Sequence, residues 1–201
     1  MVTSVTCYLG FLVFLGLERL GELWLSRRHA TALFARGAIE IGQRHYRFMT
    51  IFHSAFLGAC AGEVVGLQRP FPGGWGWAAL AVALSAQALR YWAIAALGER
   101  WNVRILVLPE APPVVRGPYR WVRHPNYVAV ILEMIAVPLI HGAWATAVLF
   151  TLGNAALLLI RIRTEEQALG AAYGRAFAET PRFLPGGGGA SIYHDHRDHH
   201  G

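Results

Sequence analysis

The chain has 201 residues, 55% of them hydrophobic and only 15% charged, with a mean hydropathy of +0.37, a balance that excludes an ordinary soluble domain and points to a membrane protein. The formal net charge of +6 comes from 18 arginines without a single lysine. These arginines sit at the ends of apolar segments and no separate basic domain carries them, so no nucleic-acid-binding face is expected.

Residues 2–25 form the first apolar run. No basic region precedes it, no clear small-residue cleavage site follows, and it is longer than a signal core, so it is expected to remain as a membrane helix. Glu18, Arg19 and Glu22 occupy its inner half. Charge at membrane depth is costly, and an interhelical charge pair, or snorkelling to the interface, accounts for the three better than catalysis does. Residues 48–67 and 75–97 are further runs close to the roughly 20 apolar residues a helix needs to cross a bilayer. Glu63 lies deep in the former. In the latter, Arg90 with Gln87 faces either an aqueous cavity or, on the favoured reading, the interface by snorkelling. Cys7 and Cys60 fall in different runs without CxxC spacing, which suggests neither a disulfide framework nor a metal site.

The apolar region 127–160 has 34 residues, too many for one crossing at about 1.5 Å per residue and enough for two short ones. Pro138 and the His141-Gly142 pair mark its turn, and Glu133 lies two turns into the first arm, where it either lines a pocket or acts as a structural carboxyl. The predicted fold is therefore an all-α integral membrane protein with about five transmembrane helices, the last two a hairpin. Arginines cluster in the first loop, in the third loop and after the last helix, while the N-terminus and the hairpin turn have none; the positive-inside rule then puts the N-terminus outside and the C-terminus in the cytoplasm. Residues 164–177 are expected to continue as a cytoplasmic helix, ended by Pro181, Pro185 and the glycine run 186–189. Residues 1–185 form one domain, followed by a flexible tail, 186–201. Its histidines, His194, His196, His199 and His200, follow a glycine run that cannot hold rigid ligand geometry, so no metal site is assigned there.

Two polar blocks flank the hairpin: Gly117-Pro118-Tyr119-Arg120-Trp121-Val122-Arg123-His124-Pro125-Asn126-Tyr127 before it and Arg161-Ile162-Arg163-Thr164-Glu165-Glu166 after it. A hairpin brings both to one membrane face. Pro125 suits the first turn of a helix, which places His124 at its cap. A helix N-terminus favours anions, so a metabolite carboxylate has a place there beside Arg120 or Arg123; taken alone, a simple cap with membrane-anchoring arginines explains the block as well. Arg161 and Glu165 have the spacing of a surface ion pair of little consequence. Glu165 and Glu166 are more informative, because adjacent carboxylates on different helix faces cannot both use one arginine: one is expected to pair with arginine while the other faces a cationic ligand such as a sulfonium.

The G-x-Y-x-x-x-R-H-P-x-Y block at 117–127, the hairpin, and the R-x-R-x-E-E-x-x-L block at 161–169 with Tyr173-Gly174 and Pro185 together resemble the isoprenylcysteine carboxyl methyltransferases and their bacterial relatives, small membrane enzymes that use S-adenosylmethionine. The resemblance covers about 101–185, and Arg19, Glu22 and the stretch from Arg36-Gly37-Ala38 to His45-Tyr46 look like a bacterial branch. It implies a cytoplasmic cofactor pocket closed by the loop before the fourth helix and by the C-terminal segment, with a tunnel between helices for a lipid tail. Tyr119, His124, Pro125, Asn126 and Tyr127 would contact S-adenosylmethionine, backbone near 111–114 would close over it, Glu166 would approach its reactive end and Arg161 would hold the acceptor's anionic oxygen. The activity implied is O-methylation of a lipid-linked acceptor, either a prenylcysteine-like carboxylate or the hydroxyl of an alkylated pyrone or polyketide. Such an in-line displacement mainly needs alignment and exclusion of water. A carboxylate needs no general base, whereas a phenol or enol would call on Glu165, Glu166 or His124. Phospholipid N-methylation, and a non-catalytic membrane transporter or assembly protein, are the alternative readings.

Overall fold

A computed structural model describes residues 2–109 and 111–183. In chain order it contains α1 (Val2–Ala35), β1 (Ile39–Ile41), α2 (Gln43–Gly66), α3 (Gly74–Leu97), a 3-10 turn (Gly98–Arg100), β2 (Ile105–Val107), a second 3-10 turn (Gly117–Arg120), α4 (Pro125–Leu139) and α5 (Trp144–Ala176). The expected tail at 186–201, and Pro185, lie outside the described residues.

Four of these helices, α1, α2, α3 and α5, are long and apolar enough to cross a membrane. Their outward faces carry exposed Phe14, Leu17, Leu20, Ile51, Trp75, Leu84, Leu149 and Leu152, large apolar side chains suited to a lipid environment. The fifth expected helix is present, but α4 has only 15 residues, roughly 22 Å of rise against a hydrocarbon core of about 30 Å. Pro125 begins it, Pro138 falls in its last turn, and Gly142, at φ 70°, reverses the chain into α5. Proline forbids the continuing hydrogen bond at both places. A helix this short is tolerated because it is wrapped by protein: α4 packs against both α3 and α5, and Ala129, Val130, Met134, Ala136 and Val137 are buried.

The inward face of α3 is made largely of small residues. α3 turns an inner stripe of Gly76, Ala83, Ala86, Gln87, Arg90, Ala93 and Ala96 inward. Small residues on a helix face let backbones meet at short range; Ala83 packs with Tyr8, Leu12 and Leu15 of α1, Phe56, Cys60 and Val64 of α2 and the buried face of α4 into one core, while Ala93 and Ala96 join Tyr119 and Phe177 in a second.

Within this stripe Gln87 and Arg90 anchor a charge network. Arg90 donates to both Glu22 oxygens at 2.6 and 2.8 Å, and Arg19 donates to Glu22 at 2.9 and 3.1 Å. Both guanidiniums also approach Glu133, at 3.4 and 3.5 Å, while Glu18 binds Arg19, Gln87 and Tyr91. The expectation of an interhelical charge pair on α1 holds. Snorkelling of Arg90 does not, because it is 6% exposed and its partners on α1 and α4 hold it inside. Glu133 is a structural carboxyl of that network. Glu63 does something else: it accepts from the Ala145 and Thr146 amides at 3.2 and 2.7 Å and from the Thr146 hydroxyl at 2.8 Å, so a residue of α2 caps α5.

One element departs from an all-α description. Ile39, Glu40 and Ile41 pair antiparallel with Val107, Leu106 and Ile105, and Arg104 meets Glu40 at 3.3 Å. The Ser26 hydroxyl donates to Asn102 Oδ1 at 2.8 Å, and His29 Nδ1 donates to the Trp101 carbonyl at 2.8 Å. The end of α1 and the turn after it therefore hold the segment that follows α3.

Candidate active site

That held segment roofs a cavity of about 550 Å³ at the end of the helix bundle where the two polar blocks meet. Its walls come from every helix: Arg19 and Glu22 of α1, Met49 and His53 of α2, Arg90 of α3, Asn126 and Tyr127 of α4, Arg161 and Glu165 of α5. The roof is formed by residues 103–109 and 111–113, where Arg100 clamps the Pro112 carbonyl at 2.7 Å. Gly117 makes the turn beneath it, at φ 59°, where a Cβ would lie 2.9 Å from Ala96 Cβ. Only glycine takes that backbone without strain.

His124 caps α4 as its position before Pro125 predicts, with φ −126° and ψ 60°. Its side chain does not cap. Nε2 instead donates to Glu166 Oε1 at 3.0 Å, and the ring stacks on Tyr127 with centroids 5.2 Å apart. Arg182 grips both oxygens of Glu166 at 3.0 and 2.6 Å, an arrangement that raises its guanidinium pKa further. The chain before α4 and the chain after α5 are also stitched together by backbone: the Arg123 amide donates to the Pro181 carbonyl at 2.9 Å, and the His124 amide to the Arg182 carbonyl at 3.2 Å. Gly170, at φ 70° and ψ −164°, breaks α5 internally, and beyond it Phe177 is fully buried with Ala93, Ala96 and Tyr119. Burial, with Glu165 nearby, pushes the Tyr119 phenol up, so it stays protonated.

Arg161 is buried and multiply held. Nε donates to the Tyr127 hydroxyl at 2.8 Å, Nη2 to the Val103 carbonyl at 2.6 Å, and Nη1 lies 3.7 Å from Met49 Sδ. The Tyr127 hydroxyl donates in turn to Glu165. An Arg161–Tyr127–Glu165 chain therefore crosses one wall of the cavity.

Of the residues singled out in the sequence, Tyr119, His124, Asn126, Tyr127 and Arg161 line the cavity, with 111–114 in its roof. Pro125 and Glu166 are not among the lining residues. Pro125 shapes the turn, and Glu166 stands behind His124. The adjacent carboxylates divide, but the other way round from the resemblance, which gives Glu166 to the cofactor: Glu166 takes Arg182, and Glu165 faces into the cavity. Arg19, Glu22, His53 and Arg90 also line the cavity, so of the two alternatives for Arg90 the cavity holds. Charge within apolar runs marks Arg19, Glu22 and Arg90; a single histidine in an apolar helix carries no such signal.

The chain is thus an integral membrane protein of packed helices, with a cavity lined by charged and apolar side chains at one end of the bundle. Residues 79–171 match the isoprenylcysteine carboxyl methyltransferase (ICMT) family. Across 152 residues the chain is 41% identical to a Bacillus subtilis (strain 168) protein described as "Uncharacterized protein YpbQ", covering 76% of this chain and 90% of that one. It is 34% identical over 152 residues to an "Uncharacterized protein" of Haemophilus influenzae, covering 75% and 88%. The chain belongs to the isoprenylcysteine carboxyl methyltransferase family, a family of methyltransferases.

Proposed function

We propose that the protein is an S-adenosylmethionine-dependent O-methyltransferase acting on a lipid-linked acceptor. The observation that carries this reading is a cavity whose wall presents both signs of charge. Its volume lies within the roughly 300–1,000 Å³ of small-molecule sites. A donor carrying a sulfonium, an α-carboxylate and an adenine asks for such a mixture. Glu165 offers a carboxylate to the cation, while Arg123 with the N-terminus of α4 suits the anion.

The fit is supported by an orphan: Oδ1 of Asn126 is buried without a hydrogen-bond partner among the described residues, although Asn126 lines the cavity. Such a group costs about 1–3 kcal/mol unless a ligand satisfies it. S-adenosylmethionine would be held by Tyr119, His124, Asn126 and Tyr127 beneath the 111–114 roof, and once bound it would supply an electrophilic methyl group. Glu166 keeps His124 in one tautomer and orientation. Arg161, a guanidinium fixed by three partners, positions the acceptor oxygen, and the roof over the site limits the approach of water. On this reading the polar end faces the cytoplasm, the N-terminus lies outside, and α4 is a fifth, short crossing sheltered by its neighbours.

The test is incubation of the detergent-purified protein with labelled S-adenosylmethionine and a lipid extract. A labelled, alkali-resolvable ester or ether in the lipid fraction is expected. Absence of saturable S-adenosylmethionine binding refutes the reading.

A further inference from the structure

His53 lies where two cavities meet. Besides the large one, a cleft of about 350 Å³ opens toward lipid between α1 and α2, lined by Val13, Gly16, Leu17, Leu20 and Leu57, and Arg19 and His53 are common to both. The ring folds back so that Nδ1 meets the Met49 carbonyl at 2.8 Å. A carbonyl only accepts, so Nδ1 carries the hydrogen and Nε2 the lone pair. Nε2 has no hydrogen-bond partner among the described residues. Met49 links His53 to the acceptor side of the site, because its sulfur touches Arg161.

The other candidate bases are engaged. His124 donates to Glu166, Glu166 is held by Arg182, and Glu165 accepts from Tyr127. An acceptor that arrives already ionised needs no base, and an open imidazole lone pair in the wall of the cavity that Arg161 also lines then serves nothing. An un-ionised hydroxyl does need one.

Resting on the methyltransferase reading, we propose that His53 is the general base for the reaction and that the acceptor is an amphipathic molecule with a weakly acidic hydroxyl, its alkyl chain in the α1–α2 cleft and its oxygen between His53 and Arg161. The hydroxyl O–H bond breaks and the proton passes to Nε2. The oxygen pair forms the new O–CH3 bond as the S–CH3 bond breaks and the thioether product leaves, and the imidazolium returns its proton to water. The charged groups around His53 are Arg19 of α1, Arg90 of α3 and Arg161 of α5; Glu22 of α1 and Glu133 of α4 neutralise the first two, and Arg161 is left to face the oxyanion.

The experiment compares wild type with His53→Asn, whose amide can keep the bond to the Met49 carbonyl but has no lone pair at the Nε2 position. Two probes share one tail: 4-dodecylphenol, un-ionised at neutral pH, and 4-dodecylbenzoic acid, ionised. For wild type, kcat/KM on the phenol is expected to rise with pH and level off. The variant should lose about 100-fold or more on the phenol at pH 7, with the deficit shrinking as pH nears the phenol's own pKa of about 10. Unchanged S-adenosylmethionine affinity in the variant separates this loss from misfolding. Equal losses on both probes, no loss, or a wild type that methylates only the benzoate while still binding S-adenosylmethionine overturns the base assignment but leaves the proposed function standing. Failure of wild type to bind S-adenosylmethionine removes the proposed function itself.

Discussion

Replacing Arg90 by methionine tests whether the charge network holds the bundle together. Methionine fills similar space and keeps α3 helical, so the change isolates the guanidinium. Arg90 makes two charge-assisted hydrogen bonds to Glu22 and a longer ion pair to Glu133. At about 1.5–3 kcal/mol for each hydrogen bond to a charged group, the two to Glu22 correspond to roughly 3–6 kcal/mol. Breaking a buried pair from one side costs about 3–5 kcal/mol, because the surviving charge is left uncompensated. Arg19 still reaches Glu22, so the lower part of that range, about 3 kcal/mol, is expected. Neutral interhelical hydrogen bonds in membranes average about 0.6 kcal/mol, which separates the ionic account from the ordinary one. The assay is reversible unfolding in mixed micelles for wild type, Arg90→Met, Glu22→Gln and the double variant. The double variant should cost at least about 2 kcal/mol less than the sum of the singles. A single-variant loss below about 1 kcal/mol, or additive losses, refutes the reasoning.

Three further outcomes follow from the site. Arg161→Lys supplies one ammonium where a fork serves Tyr127, Val103 and Met49, and the loss of one or two charged hydrogen bonds should lower kcat/KM by about 10–100-fold; a rate within about threefold of wild type speaks against the positioning role. Arg182→Ala breaks an ion pair whose arginine side chain is 55% exposed, so a stability loss of at most about 1 kcal/mol is expected, readable in thermal unfolding, and high salt should reproduce part of it in wild type. Gly117→Ala combines a left-handed backbone with a Cβ 2.9 Å from Ala96, and should destabilise by about 1–2 kcal/mol or more while leaving membrane insertion intact; a neutral unfolding midpoint contradicts the turn geometry.

Much of the scaffold is legible in the sequence because it rests on local rules. Runs of apolar residues of crossing length appear as helices, Pro125 sets the start of α4, and Pro138 with Gly142 turns the chain where the length of 127–160 requires it. The shortness of α4 is not legible, because it depends on the protein wrapped around it. Which of Glu165 and Glu166 faces inward depends on how α5 is rotated, and neighbouring positions carry no sign of that rotation. The β1–β2 pairing has three residues on each side and joins positions as far apart as Ile39 and Val107, too short for alternation to reveal. His53 is invisible for a similar reason: its place at the junction of two cavities follows from how α1, α2 and α5 meet.

That short ladder also bears on how the protein is made. The cavity takes its walls from residues between Arg19 and Phe177, and its roof is pinned through Glu40 to Arg104, 64 positions later in the chain. A nascent chain emerging N-terminus first has no binding site after α1, after α2 or after α3. The roof can dock only once residues 105–107 have emerged, and the last wall closes only when Phe177 has. Ligand affinity therefore reports completed biogenesis: a chain truncated before α5 inserts its hydrophobic helices but holds nothing.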